Sequence, residues 1–206
     1  MLKPSVIVIG RYQPPHLGHY AIFDMAKEYI AKNGEVFEYP IVVVIDGEKS
    51  GKDKSRNPLS PEERINIMRG SGHANDVKYM IAKDVMEAIE KLKAAGYDPV
   101  AVATGSDRGD SYVKLLNKYY ETDNERESLV LTRSELDVKP GTVDDILANF
   151  DKDTPVEFIS GSLVRATVQK DEFDKFVIMT GLANNEKLAK STFDKMKSSM
   201  NGEDNV

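Results

Sequence analysis

Short, unbroken apolar runs alternate with amphipathic stretches along this chain. Residues 5–10 (SVIVIG), 40–46 (PIVVVID) and 99–104 (PVAVAT) are apolar at almost every position, and the first two are rich in β-branched side chains. Runs of this length and kind predict strands buried on both faces. Weaker strand signals cover residues 77–82, 128–132 and 156–159. Between the runs, apolar residues recur at helical spacing. Ile22, Phe23, Ala26 and Ile30 share one face of a helix predicted over residues 18–33. Ser60-Pro61-Glu62-Glu63 combines an N-cap serine, a proline at the first helical position and a glutamate at the third, a strong helix start. Further helices are predicted over residues 84–95, closed by Gly96, over 111–120, after Thr142-Val143-Asp144-Asp145, and after Ser160-Gly161-Ser162. Two more helical stretches precede the end.

This alternation predicts an α/β fold: a Rossmann-like parallel sheet with helices on both faces, followed by C-terminal helices. One domain over residues 1–182, then a C-terminal helix and a tail over 183–206 that frays from about Ser198, fits the length. Ligands of such sheets bind outside the carboxyl ends of the strands. The stretches after Gly10, after Thr104 and after Ile159 fall at three predicted ends of that kind.

Composition narrows the chemistry. The 206 residues are 40% hydrophobic and 30% charged, as in ordinary globular domains. The net charge of −6 predicts no general grip on nucleic acid, so an anionic ligand must meet a few local cations. With no cysteine, disulfides, zinc-thiolate sites and thiol catalysis are excluded. That fits a reducing, cytoplasmic setting. The N-terminal apolar run is too short for a signal peptide, and no run approaches the length that spans a bilayer.

Two of the three histidines fall within GRYQPPHLGH, residues 10–19. Pro14 and Pro15 stiffen the passage from strand to helix. His16 and His19 are three apart, so at a helix start they face the same way. Gly18 admits close approach to the backbone. A helix N-terminus attracts anions, and two imidazole donors there suit a phosphate chain. A lone histidine would read as a capping or packing residue; a pair after a strand and Gly-Arg favours phosphate. Ser160-Gly161-Ser162, opening a helix with Arg165 one turn in, forms a second anion site. The plainer alternative is a capping serine and a surface arginine. Gly105-Ser106-Asp107 is a weaker signal, equally at home in a plain turn. Lys49, Lys52, Lys54 and Arg56 lie in a polar loop that could close over phosphates, with Lys54 and Arg56 the candidate contacts. Arg64 could meet phosphate or pair with a glutamate of its own helix.

These residues resemble the GRFQPxHxGH signature of the HxGH nucleotidylyltransferase superfamily, with Tyr12 in place of phenylalanine. Residues 57–64 (NPLSPEER) are similar to the NPFTxxER segment of archaeal-type nicotinamide mononucleotide adenylyltransferases. Residues 159–165 (ISGSLVR) resemble the ISxTxxR pattern, with Ser162 for threonine. Residues 105–119 (GSDRGDSYVKLLNKY) resemble nucleotidyltransferase-type proteins of large tailed phages, whose cytoplasm would be the host's. The resemblance covers about residues 5–180. It implies catalytic roles for His16, His19 and Arg165. It also implies nucleotide contacts from Gly10, Arg11, Tyr12, Gly18, Thr104, Gly105, Asp107, Ser160, Gly161 and Ser162.

The implied reaction is transfer of a nucleotidyl group from ATP or another NTP to a phosphorylated small molecule, with pyrophosphate released. Mg²⁺ would be bound mainly through the nucleotide, with no dedicated protein metal site. The favoured product is NAD from nicotinamide mononucleotide. A nicotinamide ring usually calls for aromatic stacking, and with no tryptophan that falls to Tyr12, Phe23, Tyr79 or Tyr112. A cytidylyltransferase or a phosphopantetheine adenylyltransferase is the alternative within the superfamily. A non-catalytic phage structural or binding protein on the same fold is the alternative outside it. Neither a membrane nor nucleic acid is an expected partner, and a homo-oligomer through exposed helices is allowed. Two further signals are rejected. Residues 47–53 miss a Walker loop by one residue and place Asp53 where serine or threonine must meet Mg²⁺. Lys195-Met196-Lys197-Ser198-Ser199 scrambles the KMSKS order of class I aminoacyl-tRNA synthetases. His73, in GSGHAND, reads as an ordinary loop residue.

Overall fold

The computed structural model describes residues 2–34, 38–47, 52–105, 108–120, 125–131 and 142–202. The chain divides into two compact units that interleave along the sequence. The first comprises Met1–Arg11, Ala21–Gly47 and Asp76–Thr132. The second comprises Tyr12–Tyr20, Glu48–Asn75 and Arg133–Val206.

The first unit is the sheet. Its strands are β1 (Lys3–Gly10), β2 (Ile41–Ile45), β3 (Lys78–Ala82), β4 (Tyr97–Thr104) and β5 (Glu127–Val130). All pairs are parallel, in the order β3-β2-β1-β4-β5. Side chains alternate between faces. Ile7, Ile41, Val43 and Val102 pack with Ala88, Ile89 and Leu92 of α3 (Val85–Ala94) and Leu116 of α4 (Gly109–Tyr119). Val6, Val8, Val42, Val44, Ala101 and Ala103 occupy the alternate positions and are equally buried. Helix α1 (Leu17–Asn33) fully buries Phe23 and Ala26. Helices cover both faces, and the fold is the Rossmann-like one that the runs predict.

β1 and β4 both begin earlier than their apolar runs. The added residues are Lys3 and Pro4 in β1 and Tyr97 and Asp98 in β4, and Ser5 pairs with Pro99 beside an irregularity between Ser5 and Val6. Proline is tolerated in sheets near strand starts and bulges. A buried ion pair closes the same end: Arg126 Nη2 donates to Asp98 Oδ1 at 2.7 Å and its Nε to the Pro99 carbonyl oxygen at 3.0 Å.

The second unit is helical. It contains α2 (Pro61–Gly70), α5 (Val143–Ala148), α6 (Gly161–Gln169), α7 (Phe173–Thr180) and α8 (Glu186–Asn201). Its core joins Ile159, Leu163, Phe176, Phe193 and Met196. Phe173 and Phe176 both meet the Phe193 ring edge-on, at 5.3 and 5.2 Å. Ser60 caps α2 as predicted, in a reciprocal box with Glu63. The strand expected over residues 156–159 is instead a 3₁₀ turn, Val156–Phe158. Phe158 and Ile159 donate three residues back, to Pro155 and Val156. Four residues with no neighbouring strand to pair with close on themselves after a proline. Helix α8 runs to Asn201, past the predicted fraying point, and stops where Gly202 turns left-handed. No helix among the described residues is long and apolar enough to cross a membrane.

Candidate functional site

The second unit brings the two anion-binding stretches together. His16 precedes α1, and its carbonyl oxygen accepts from the backbone N–H of His19 at 2.8 Å. His19 is the third residue of the helix. The two rings lie 3.7 Å apart between centroids, tilted by 33°. Tyr12 meets His19 edge-on at 4.8 Å. Tyr12 itself holds a φ of 52°, a conformation that costs a non-glycine residue about 1–3 kcal/mol and concentrates at functional sites.

Gly18 is required by space. A Cβ there would stand 2.9 Å from the Ile159 carbonyl oxygen and 3.0 Å from that of Val156. The histidine turn therefore presses on the 3₁₀ turn that leads into α6. Ser160 caps α6, its hydroxyl accepting from the Leu163 N–H at 3.2 Å. Arg165 reaches back from α6: Nη1 donates to the Gln13 carbonyl oxygen at 2.5 Å and Nη2 to Ser162 Oγ at 3.1 Å. Gly161 permits this, since a Cβ would stand 2.9 Å from that same carbonyl oxygen.

The electrostatics favour neutral imidazoles. Burial holds His16 well below the usual histidine range, and the neighbouring His19 and Arg165 push it the same way. Burial lowers His19 to about 3. His16 Nδ1 and His19 Nδ1 are buried without a hydrogen-bond partner among the described residues. Two neutral rings beside an arginine, at the start of a helix, can offer hydrogen-bond donors to an anion.

The other expected residues are placed differently. Gly10 ends β1 and Arg11 follows it, while Thr104 ends β4 and Gly105 follows it. These neighbouring strands are where this sheet reverses its order, the place where doubly wound sheets in general take their ligands. The third expected strand end, before Ser160, is no strand end. Asp107, Ser106 and Lys49 lie outside the described residues. Arg64 is buried, its Nε donating to the Ser60 carbonyl oxygen at 3.1 Å. Arg56 is exposed, 3.8 Å from Asp53. Lys54 is exposed and lines a cavity of about 410 Å³ with Ser60, Glu63 and Lys195. The Lys195–Ser199 stretch lies within α8, with Met196 in the core.

Gln13, within the GRYQPPHLGH stretch, and His73, which the sequence presents as an ordinary loop residue, make contacts that no spacing in the sequence encodes. Gln13 is 7% exposed and bonds the Leu59 peptide. His73 stacks on Tyr20, which follows His19, at 5.2 Å and 8°.

Residues 7–167, which include both histidines and Arg165, match the cytidylyltransferase-like family. The chain belongs to that family. As a cytidylyltransferase-like protein it is a nucleotidyltransferase by family, with a nucleotide as its expected ligand. No curated protein matches the sequence. The fold is similar to that of a macrolide-efflux protein from Streptococcus pneumoniae, at a TM-score of 0.53 and 15% identity. That likeness covers 88% of this chain and 65% of the other, so the chain spans less than two thirds of that protein's length.

Proposed function

We propose that this cytidylyltransferase-like chain transfers the nucleotidyl group of ATP to a phosphate-bearing acceptor, nicotinamide mononucleotide first among them. A phosphate oxygen of the acceptor attacks the α-phosphorus of the triphosphate. The bond from that phosphorus to the bridging oxygen breaks, and pyrophosphate leaves with the electron pair. The single observation that carries this reading is the close, tilted pair of His16 and His19, held neutral by burial, with Arg165 beside it.

Such a transfer needs no nucleophile on the protein; positioning and charge stabilisation suffice. The imidazole N–H groups would donate to the oxygens on which negative charge grows. Arg165 and the first turn of α6 would hold the outer phosphates, since the first N–H groups of a helix have no partner within it. Mg²⁺ is proposed as the ion that the triphosphate carries, neutralising part of its charge when bound. His16, His19 and Arg165 are the groups of this chain suited to meeting phosphate.

Gln13 and residues 57–64 support nicotinamide mononucleotide through their resemblance to the archaeal-type enzymes. The family match supports a second reading, CTP with a polyol or choline phosphate. Pyrophosphate release separates them, with ATP and CTP each paired with nicotinamide mononucleotide, phosphopantetheine, glycerol phosphate and choline phosphate. Release with ATP and nicotinamide mononucleotide alone supports the first reading; release with another pair keeps the reaction and changes the substrate. His19→Ala should lower turnover by about 10²–10³, as when one oxyanion donor is lost. A loss under about threefold would remove His19 from the chemistry. Silence in every pair, with no nucleotide bound, would favour a non-catalytic role.

A further inference from the structure

Gln13 has no reactive group, yet it joins three segments of the second unit. Its Nε2 donates to the Leu59 carbonyl oxygen at 2.7 Å, and its Oε1 accepts from the Leu59 N–H at 3.2 Å. Both bonds go to one residue's backbone, 46 positions away. Its own carbonyl oxygen takes the Arg165 guanidinium, 152 positions away. Gln13 is buried, so each of these groups would otherwise lose its partner with no water to replace it. Pro14 and Pro15 then run directly to His16, with φ fixed at both. A shift at Gln13 would therefore reach the guanidinium on one side and the histidines on the other. Ser60, next to Leu59, opens α2, and Lys54 and Arg56 lie on the chain that leads into the clamped segment.

We propose that Gln13 is a positioning residue for triphosphate binding, on the nucleotidyltransferase reading above: it sets the Arg165 guanidinium and residues 57–60 against the histidine turn. A residue with this role governs the grip on the ground-state triphosphate more than the chemical step. That separates it from His19, and also from a residue that merely stabilises the fold.

The test uses the full chain and four variants: Gln13→Met, which keeps length and burial but removes both bonds; Gln13→Glu, which sets an oxygen against the Leu59 carbonyl; Arg165→Ala; and Gln13→Met with Arg165→Ala. Calorimetric titration with MgATP and MgCTP gives Kd, steady-state pyrophosphate release gives kcat and KM, and thermal melting checks the fold. Gln13→Met is expected to raise Kd and KM for the triphosphate about tenfold with kcat within about threefold. The double variant is expected within about twofold of Arg165→Ala alone, because Gln13 acts through that arginine. If Gln13→Met does not fold, Gln13→Glu carries the same expectation. Unchanged affinity, or losses that multiply in the double variant, would overturn the assignment and leave Gln13 a structural residue. A folded wild type that binds neither triphosphate would overturn the nucleotidyltransferase reading and this assignment with it. Wild-type binding with unchanged variants would overturn this assignment alone.

Discussion

His16 and His19 are held neutral by their burial, and this ties stability to pH. An unfolded histidine titrates near pH 6.5. Above that pH both states are neutral and the full stability is present. As pH falls below it, the unfolded chain binds protons that the folded pair refuses. Stability then falls by at most about 1.4 kcal/mol per pH unit for each histidine. For His19 the loss continues until the folded value of about 3 is reached. Urea unfolding from about pH 7.5 down to about pH 5 should show the wild type losing stability more steeply than His16→Ala/His19→Ala; parallel profiles would show that the pair is not held neutral. The histidines, Ser160 and Arg165 were legible because each group sits within one short stretch. The role of Gln13 was not, because its partners lie 46 and 152 residues away and no spacing in the sequence encodes them. The need for glycine at position 161 is hidden in the same way, since only the approach of the Gln13 carbonyl creates it.

Helix α2 shows why some elements can be read directly. Cap, proline and box glutamate are all local to its first turn, and the structure keeps each in its expected place. Ser60→Ala removes the acceptor of the Glu63 N–H and should lower stability by about 1 kcal/mol, read as a shift in the urea midpoint. An unchanged midpoint would mean that water replaces the cap at no cost. Residues 156–159 show the opposite case. Val-Glu-Phe-Ile alternates like a strand, but a strand exists only by pairing. The ends of β1 and β4 were missed for a related reason, since proline reads as a break until a strand start or an irregularity beside it is known.

At the scale of the molecule, the chain divides into two units that interleave along the sequence. Each unit draws on three stretches of chain. Helix α8 supplies Phe193 and Met196 to the second core. Large-to-small losses at two such positions total about 5–10 kcal/mol, comparable with the whole stability of a domain. A chain ended after residue 182 should therefore lose cooperative unfolding and near-ultraviolet dichroism; a truncated chain that melts like the full one would make α8 dispensable. The long reach from Gln13 to Arg165 also puts the site on a clock. At about 5–20 residues per second of synthesis, roughly 8–30 s separate the two residues. A nascent chain carries its histidines long before it has the arginine to set beside them. Synthesis interrupted between them would therefore yield fragments that hold the histidine turn without its guanidinium, rather than weakened copies of the whole cluster.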